Sequence, residues 1–519
     1  MSSRFRLARF FVVLIVVTFF SSLLVGSSYA IAGQPDEFYN VVEGYGGNLV
    51  ADGVTGGTIS GGGQVSFLNQ INRDFGAIGG GKGNSAGSYS TVGGGESNNA
   101  EGIRATIGGG AKNTASRNNA VVAGGYSNTA SQSFATVGGG NVNTADASYA
   151  TISGGAGNLA TGRISTIGGG TRNQTQSAFT TIGGGSFNLA IGGTSTIAGG
   201  TQNRAPGIVS FIGGGAGNTA SGLQSAIAGG LGNQTSDNYS VVAGGRQNRA
   251  GNGNEDEEDT PYASVGGGYE NRAGGAYSAV PGGYGNQALG DYSFAAGNQA
   301  QIDAGHPGVF LFADSSDFPF ESSNSNEFAA RATGGVRFVT AIDGQGAPLA
   351  GVRLAQGSGS WETLSDRNAK TSILPTDGRR VLDTLMTVPV STWQYVGQPN
   401  SVQHMGPMAQ DFYAAFGLGE DGHYIGTVDA EGVALASIQG LYQVVQEKDS
   451  QIAALQAQND DLGKRLNDLE ARLANLEKHS DQPVSQPYGL WFAIASLVVG
   501  LAVGRYLLTP RGPSNRFEL

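Results

Sequence analysis

Small apolar residues and glycines recur with a period of 15 between residues 40 and 300. A typical repeat contains Ile107, the glycine cluster 108–110, Asn113 and Ala115. The β-branched residue favours a strand, the glycines allow a turn with positive φ, and asparagine tolerates the left-handed region. Ten consecutive steps between the repeat asparagines are 15 residues long, and these asparagines are Asn84, Asn98, Asn113, Asn128, Asn143, Asn158, Asn173, Asn188, Asn203, Asn218, Asn233 and Asn248.

This repeat predicts a β-solenoid head over residues 31–300. Stacked coils bond backbone to backbone about 4.8 Å apart, and identical residues, including asparagine, form ladders along the stack. One Ile or Val and a few alanines per coil bury little apolar surface, which favours several chains packed side by side. The acidic run 255–259 interrupts the period and predicts a solvated loop, with a cation site as the alternative.

A second periodicity covers residues 438–479, where aliphatic residues alternate at steps of three and four. Such heptads predict a coiled coil. Lys448 and Asn459 are its polar exceptions and fix the register; an asparagine at this kind of position weakly favours dimers. The heptad positions are Ile438, Leu441, Val445, Lys448, Ile452, Leu455, Asn459, Leu462, Leu466, Leu469, Leu473 and Leu476.

The two ends of the chain predict membrane export and anchoring. Residues 1–30 combine three arginines, an apolar run and a small-residue cleavage site, which is typical of a signal peptide, with an uncleaved anchor as the alternative. Residues 489–508 are apolar enough to span a bilayer after the linker 480–488. Because Arg511 and Arg516 follow, the tail 509–519 is predicted to be cytoplasmic and the head extracellular.

Composition narrows the candidate chemistry. The 519 residues include no cysteine, so disulfides and thiolate sites are impossible, and four scattered histidines lack metal-ligand spacing. The net charge of -11 argues against a nucleic-acid partner. Neither a cofactor nor a metal is predicted.

The candidate catalytic pair is Ser365 and Lys370, five residues apart after a β-rich neck at 301–364. A serine hydroxyl becomes a nucleophile when a base takes its proton, and lysine can be that base where partial burial favours its neutral form. The alternative is structural: Ser365 caps a turn and Lys370 is a solvated surface residue.

Four motifs in order from Ser365 resemble the endosialidase-type intramolecular chaperone, the self-cleaving, trimer-forming domain of phage tail spikes and of myelin regulatory factor. The resemblance implies a chaperone domain at 365–437, a cut between Leu364 and Ser365, Ser365 as the nucleophile and Lys370 as its base. The motifs are Ser365–Lys370, Pro389–Tyr395, His404–Asp411 and Gly426–Asp429.

The 15-residue repeat is similar to the left-handed β-roll heads of trimeric autotransporter adhesins, although those end in a membrane β-barrel and this chain in an apolar segment. The fold expected is mainly β: a trimeric left-handed β-solenoid head, a β-rich neck, an α+β chaperone domain, a coiled coil and one transmembrane helix. The function expected is a membrane-tethered homotrimeric cell-surface fibre that cleaves itself once and frees the head. Its head would bind an extracellular glycan or protein. The alternatives are an uncleaved structural adhesin and a glycan-degrading spike.

Overall fold

The computed structural model describes residues 38–254 and 256–479, together with 494–495 and 498–499. The predicted signal peptide, linker and tail lie outside these residues, as does the predicted membrane segment apart from four positions. No helix in the described part of the chain is long and apolar enough to cross a membrane. The chain forms two compact units, one reaching Val336 and including 355–358, the other holding 337–354 and the residues from 359 onward.

The first unit is the predicted β-solenoid, with about 19 turns. A coil contributes one short strand whose Ile or Val is buried, as at Ile107, and a second whose Ala is buried, as at Ala115. Both strands pair in parallel with the same strands of neighbouring coils, so that Val122 lies opposite Ile107 and Ala130 opposite Ala115. We call the two stacks the isoleucine ladder and the alanine ladder.

The isoleucine ladder consists of Val41–Glu43, Thr58–Ser60, Ala77–Ile78, Thr91–Val92, Thr106–Ile107, Val121–Val122, Thr136–Val137, Thr151–Ile152, Thr166–Ile167, Thr181–Ile182, Thr196–Ile197, Phe211–Ile212, Ala226–Ile227, Val241–Val242, Ser264–Val265, Ala279–Val280, Gly283–Tyr284, Phe294–Asn298, Phe310–Ala313 and Phe328–Arg331. The alanine ladder consists of Leu49–Val50, Gln70–Ile71, Ser85–Ala86, Asn99–Ala100, Thr114–Ala115, Thr129–Ala130, Thr144–Ala145, Leu159–Ala160, Gln174–Thr175, Leu189–Ala190, Arg204–Ala205, Thr219–Ala220, Gln234–Thr235, Arg249–Ala250, Arg272–Ala273, Gln287–Ala288, Ala300–Ile302 and Phe320–Glu321. The ladders thus continue beyond residue 300, where the sequence placed the end of the head.

Buried asparagines form a third ladder. The backbone N–H of Asn113 donates to Asn98 Oδ1 at 3.0 Å, and its own Nδ2 donates to the carbonyl oxygens of Gly109 and Gly125 at 2.9 Å. The expectation that asparagine takes the left-handed conformation is wrong, because the residue with positive φ is its predecessor, Lys112 at 58°. Asparagine instead keeps a conformation that turns its amide inward, where it bonds two glycine carbonyls.

The 23-residue step between Asn248 and Asn271 leaves the asparagine ladder intact. The N–H of Asn271 still donates to Asn248 Oδ1 at 3.0 Å, so the acidic insertion leaves the stack as a loop. Inside the loop, Asp259 accepts from the side-chain amides of Asn252 and Asn254. Among the described residues no group of three or more His, Asp or Glu side chains could hold a metal ion.

The second unit begins with an antiparallel sheet of three strands, Val336–Ile342, Pro348–Leu354 and Trp361–Thr363. Asp343 closes its first hairpin, because its carboxylate accepts from the amides of Gln345 and Ala347, both at 2.8 Å. These hydrogen bonds hold the pKa of Asp343 below its usual value.

Between this sheet and residue 479 the chain forms three α-helices. The remaining elements are the 3₁₀ turn Arg367–Ala369, helix α1 Gly378–Leu385, the hairpin Ser391–Trp393 with His404–Gly406, helix α2 Ala409–Phe416 and helix α3 Thr427–His479. Helices α1 and α3 touch at Gly378 and Gly440, where a Cβ on Gly440 would lie 2.2 Å from the Gly378 carbonyl oxygen. Only glycine permits this approach.

Helix α3 runs without a break through the predicted heptads. In the single chain its heptad residues face solvent; Leu441 is 51% exposed and Leu455 58%. The long helix is therefore as expected, and its pairing with other chains stays a prediction.

Candidate functional site

The backbone before the predicted cut is fixed by the three-stranded sheet. Strand Trp361–Thr363 pairs with Pro348–Leu354, and the N–H of Leu364 extends the ladder by donating to the Gly351 carbonyl at 3.0 Å. A Cβ on Gly351 would lie 2.2 Å from the Phe338 carbonyl oxygen, so a larger residue there would displace the neighbouring strand. The sheet therefore holds the peptide bond between Leu364 and Ser365 at its end.

The backbone after the predicted cut turns back at once. Asp366 caps the 3₁₀ turn Arg367–Ala369, its Oδ1 accepting from the Asn368 N–H at 2.9 Å. Lys370 ends this turn, and its Nζ donates to Ser365 Oγ at 2.6 Å. The five-residue spacing thus brings the two candidate residues together, while the cap that the alternative assigned to Ser365 is supplied by Asp366.

The pair is open to solvent in the single chain. Ser365 and Lys370 are both exposed, and a groove of about 400 Å³ ends at Leu364 and Ser365. The groove is lined by residues of all three strands, with Phe338, Val352 and Glu362 among its walls. Water and a second protein surface can both reach the bond, and the fold of one chain does not desolvate the lysine.

The second and third sequence motifs form a β-hairpin whose aromatic side chains pack together. In the hairpin, Trp393 lies opposite His404, and their rings are 4.8 Å apart. Gln398 Oε1 accepts from the Tyr395 N–H at 3.0 Å and lies 3.1 Å from His404 Nε2. His404 is therefore held in an aromatic cluster by a residue that no sequence motif had singled out.

Apolar burial in the second unit is slight. Its buried apolar side chains, within the described residues, are Val388, Phe412 and Val433. Large apolar residues such as Leu374 and Tyr424 are about four-fifths exposed. A unit of this size with so small a core has much apolar surface left for contacts with other chains.

A comparison with known protein families gives a match within this segment. Residues 365–418 match the family model described as chaperone of endosialidase, and the match begins at Ser365, the first residue of the hydrogen-bonded pair. No curated protein matches the chain significantly. Residues 365–418 are thus similar to chaperone-of-endosialidase domains, and a β-solenoid head of about 19 turns precedes them.

Proposed function

We propose that this chain is an exported homotrimeric fibre whose C-terminal domain assembles three copies and then cuts each chain between Leu364 and Ser365. The observation that carries the cut is the 2.6 Å hydrogen bond between Lys370 Nζ and Ser365 Oγ at the first residue of the chaperone domain. The head, residues 31–364, leaves the domain that assembled it and binds an extracellular glycan or protein.

Trimer assembly is supported by the surface of the second unit. The heptad leucines of α3 are exposed along the helix, and burying one leucine side chain contributes about 1.5–3 kcal/mol. Three parallel helices would cover these side chains and bring the last coils of three heads into register. Since closing long loops between distant strands is entropically costly, a C-terminal nucleus lowers the barrier to forming the solenoid.

The proposed reaction uses the two residues in fixed roles. Lys370 Nζ, in its neutral form, takes the proton from Ser365 Oγ, which attacks the carbonyl carbon of Leu364. The bond from this carbon to the Ser365 nitrogen breaks, and the nitrogen receives the proton from Lys370. Water then hydrolyses the resulting ester, leaving a carboxylate on Leu364 and a free serine at the start of the C-terminal fragment.

The proposed trigger is trimerisation. An ammonium group surrounded by water keeps its proton, whereas covering it with protein favours the neutral amine that can act as a base. Both side chains are exposed in one chain, so a neighbouring copy would have to cover them. A monomer should therefore cleave slowly.

The cleavage test uses the full chain tagged at both ends. Ser365→Ala and Lys370→Ala should each give one full-length band on a denaturing gel while the native protein still forms trimers. Ser401→Ala and Lys464→Ala, at exposed positions, should cleave normally. The smaller wild-type fragment should begin at Ser365. Two bands from Ser365→Ala would assign the cut to another protease, and one band from the wild type would favour the uncleaved adhesin.

The assembly test changes the heptad face. Leu462→Asp with Leu466→Asp should give monomers that do not cleave, because each change removes several kcal/mol of apolar packing. Ala457→Asp with Ala471→Asp adds the same charge away from the heptad positions and should leave trimers intact. Normal cleavage in a monomeric variant would refute trimerisation as the trigger.

Membrane tethering rests on the apolar segment 489–508 and the arginines behind it. The fragment that begins at Ser365 should stay with membranes after a carbonate wash, while the head is accessible to protease from outside. Deleting 489–508 should make both fragments soluble without stopping the cut. A wild-type C-terminal fragment that washes off would refute the anchor.

A further inference from the structure

One position in each of fifteen coils of the head has a left-handed backbone, and most of these positions hold bulky residues. In a regular coil it lies six residues after the ladder asparagine, and we call the fifteen such positions from Phe75 to Tyr292 the left-handed stripe. Their φ angles lie between 51° and 64°. Eleven of the fifteen are aromatic or aliphatic, including Tyr149, Ile164 and Val209.

These residues are poorly suited to their backbone conformation. Glycine and asparagine adopt positive φ readily, whereas a β-branched or bulky residue there is strained. Burial within the chain does not offset the strain, since Tyr149 is 49% exposed, Phe179 52% and Tyr292 68%. The outward sides of these residues can be covered only by a surface from outside the single chain.

The stripe is also nearly free of charge. Its one charged member among the fifteen described positions is Arg104, whose guanidinium lies 5.9 Å from the ring centre of Tyr89. The adjacent outward row, formed by the first residue of each isoleucine-ladder strand from Ala77 to Phe328, has no charged residue. The head has 27 Lys, Arg, Asp and Glu residues between 31 and 300, and among the described positions one of them, Arg104, lies on the stripe and none on the adjacent row.

The rings within the stripe stack on one another. Tyr239, Tyr262, Tyr277 and Tyr292 form a continuous run, with ring centres 4.8–5.2 Å apart and planes within 13° of parallel. Stacking covers the ring faces and turns the edges outward. Because a sugar packs on the face of an aromatic ring, the exposed edges fit a protein surface better than a glycan.

We propose that the left-handed stripe is the surface through which the heads of different copies of this chain contact one another. The inference rests on the proposed trimer and deepens it. Nine aromatic side chains of about 200 Å², roughly half exposed, offer on the order of 900 Å² per chain, comparable to the about 800 Å² that one partner contributes to a standard interface. In a trimer this area is shared between two neighbours, and the adjacent uncharged row adds to it. Parallel chains with the same repeat place equivalent coils, and so equivalent rings, side by side.

The experiment uses the absence of cysteine from the chain. A single cysteine is introduced as Tyr262→Cys on the stripe, as Val241→Cys on the adjacent row, or as Gln247→Cys. The last is a matched control, because Gln247 is also exposed and left-handed, with φ 55°, but lies on another row. Each full-length variant is weighed by light scattering and then treated with a short bismaleimide cross-linker.

Tyr262→Cys and Val241→Cys should give at least tenfold more cross-linked heads than Gln247→Cys, and should react more slowly with a soluble monofunctional maleimide. Equal cross-linking of all three variants in a protein of trimeric mass would refute the stripe as the contact surface without refuting the trimer. Equal maleimide labelling rates for the three variants would also refute the stripe as the contact surface and would indicate that this face is free to bind a glycan or another protein. A monomeric mass for every variant would overturn both the stripe and the trimer.

Discussion

The asparagine ladder makes a sharp prediction for Asn143→Ala. The Oδ1 atom of Asn143 accepts from the buried N–H of Asn158 at 3.0 Å, and its Nδ2 donates to the carbonyl oxygens of Gly139 and Gly155 at 2.9 Å. Alanine leaves these three groups without that partner. A buried polar group without a partner costs about 1–3 kcal/mol. Because the Gly155 carbonyl still accepts the Asn141 N–H at 2.9 Å and both carbonyl bonds are only partly buried, we expect a loss of about 3 kcal/mol.

Hydrogen exchange is the appropriate measurement because solenoids unfold in segments and a single melting curve would average over them. A loss of about 3 kcal/mol corresponds to a protection factor about 150-fold lower for the amide of Asn158. Asn141→Ala provides the matched control, since Asn141 lies two residues earlier and is exposed, and it should change stability by less than about 0.5 kcal/mol. Similar protection at Asn158 in both variants would show that the ladder does not stabilise the head.

Two further predictions concern the second unit and the end of the head. Gly440→Ala should lower the melting temperature of the helical unit, because its Cβ would meet the Gly378 carbonyl and overpacking costs about 1–3 kcal/mol. The control Gly463→Ala should raise the melting temperature, because a Cβ there meets open space and alanine favours the helix. Equal shifts in the two variants would refute the α1–α3 contact. Hydrogen bonds from the hydroxyl and amide of Thr333 hold the pKa of Asp314 well below its usual value. The ionised Asp314 therefore stabilises the head at pH values above its ordinary pKa. This stabilisation is lost progressively as the pH falls below about 5. Asp314→Asn should therefore flatten the acid side of the stability curve measured by exchange between pH 2 and 7, and an unchanged slope would contradict this role.

The coil architecture could be predicted because the same residue types repeat at the same spacing. Ile107 and Asn113 recur in nearly every coil, and a buried strand residue and an inward amide both follow from that repetition. The left-handed position before each asparagine could not be predicted, because its side chain varies freely, from Lys112 to Val142 to Phe187. That conformation is imposed by the asparagine that follows, which needs its inward orientation to reach the glycine carbonyls.

The candidate site was likewise predictable only in part from the sequence. The pairing of Ser365 with Lys370 was predictable from a local spacing, because one short turn spans it. The contacts of Gly351 with Phe338 and of Gly440 with Gly378 were not, since neither glycine belongs to a periodic pattern and the second pair is separated by 62 residues. Close backbone approaches of this kind depend on tertiary packing and have no signature in a single sequence.

The position of the proposed cut follows from where the hydrogen bonds of the head end. The last strand of the isoleucine ladder is Phe328–Arg331, and the scissile bond lies more than 30 residues beyond it. Cleavage before Ser365 would therefore remove no strand from either ladder and no asparagine from the asparagine ladder. Each coil in a solenoid is stabilised mainly by its two neighbours, so a head that has formed no longer depends on the domain that nucleated it. A cut upstream of Arg331 would instead remove ladder strands from the head, so the proposed cleavage leaves the solenoid complete only if it lies beyond this residue.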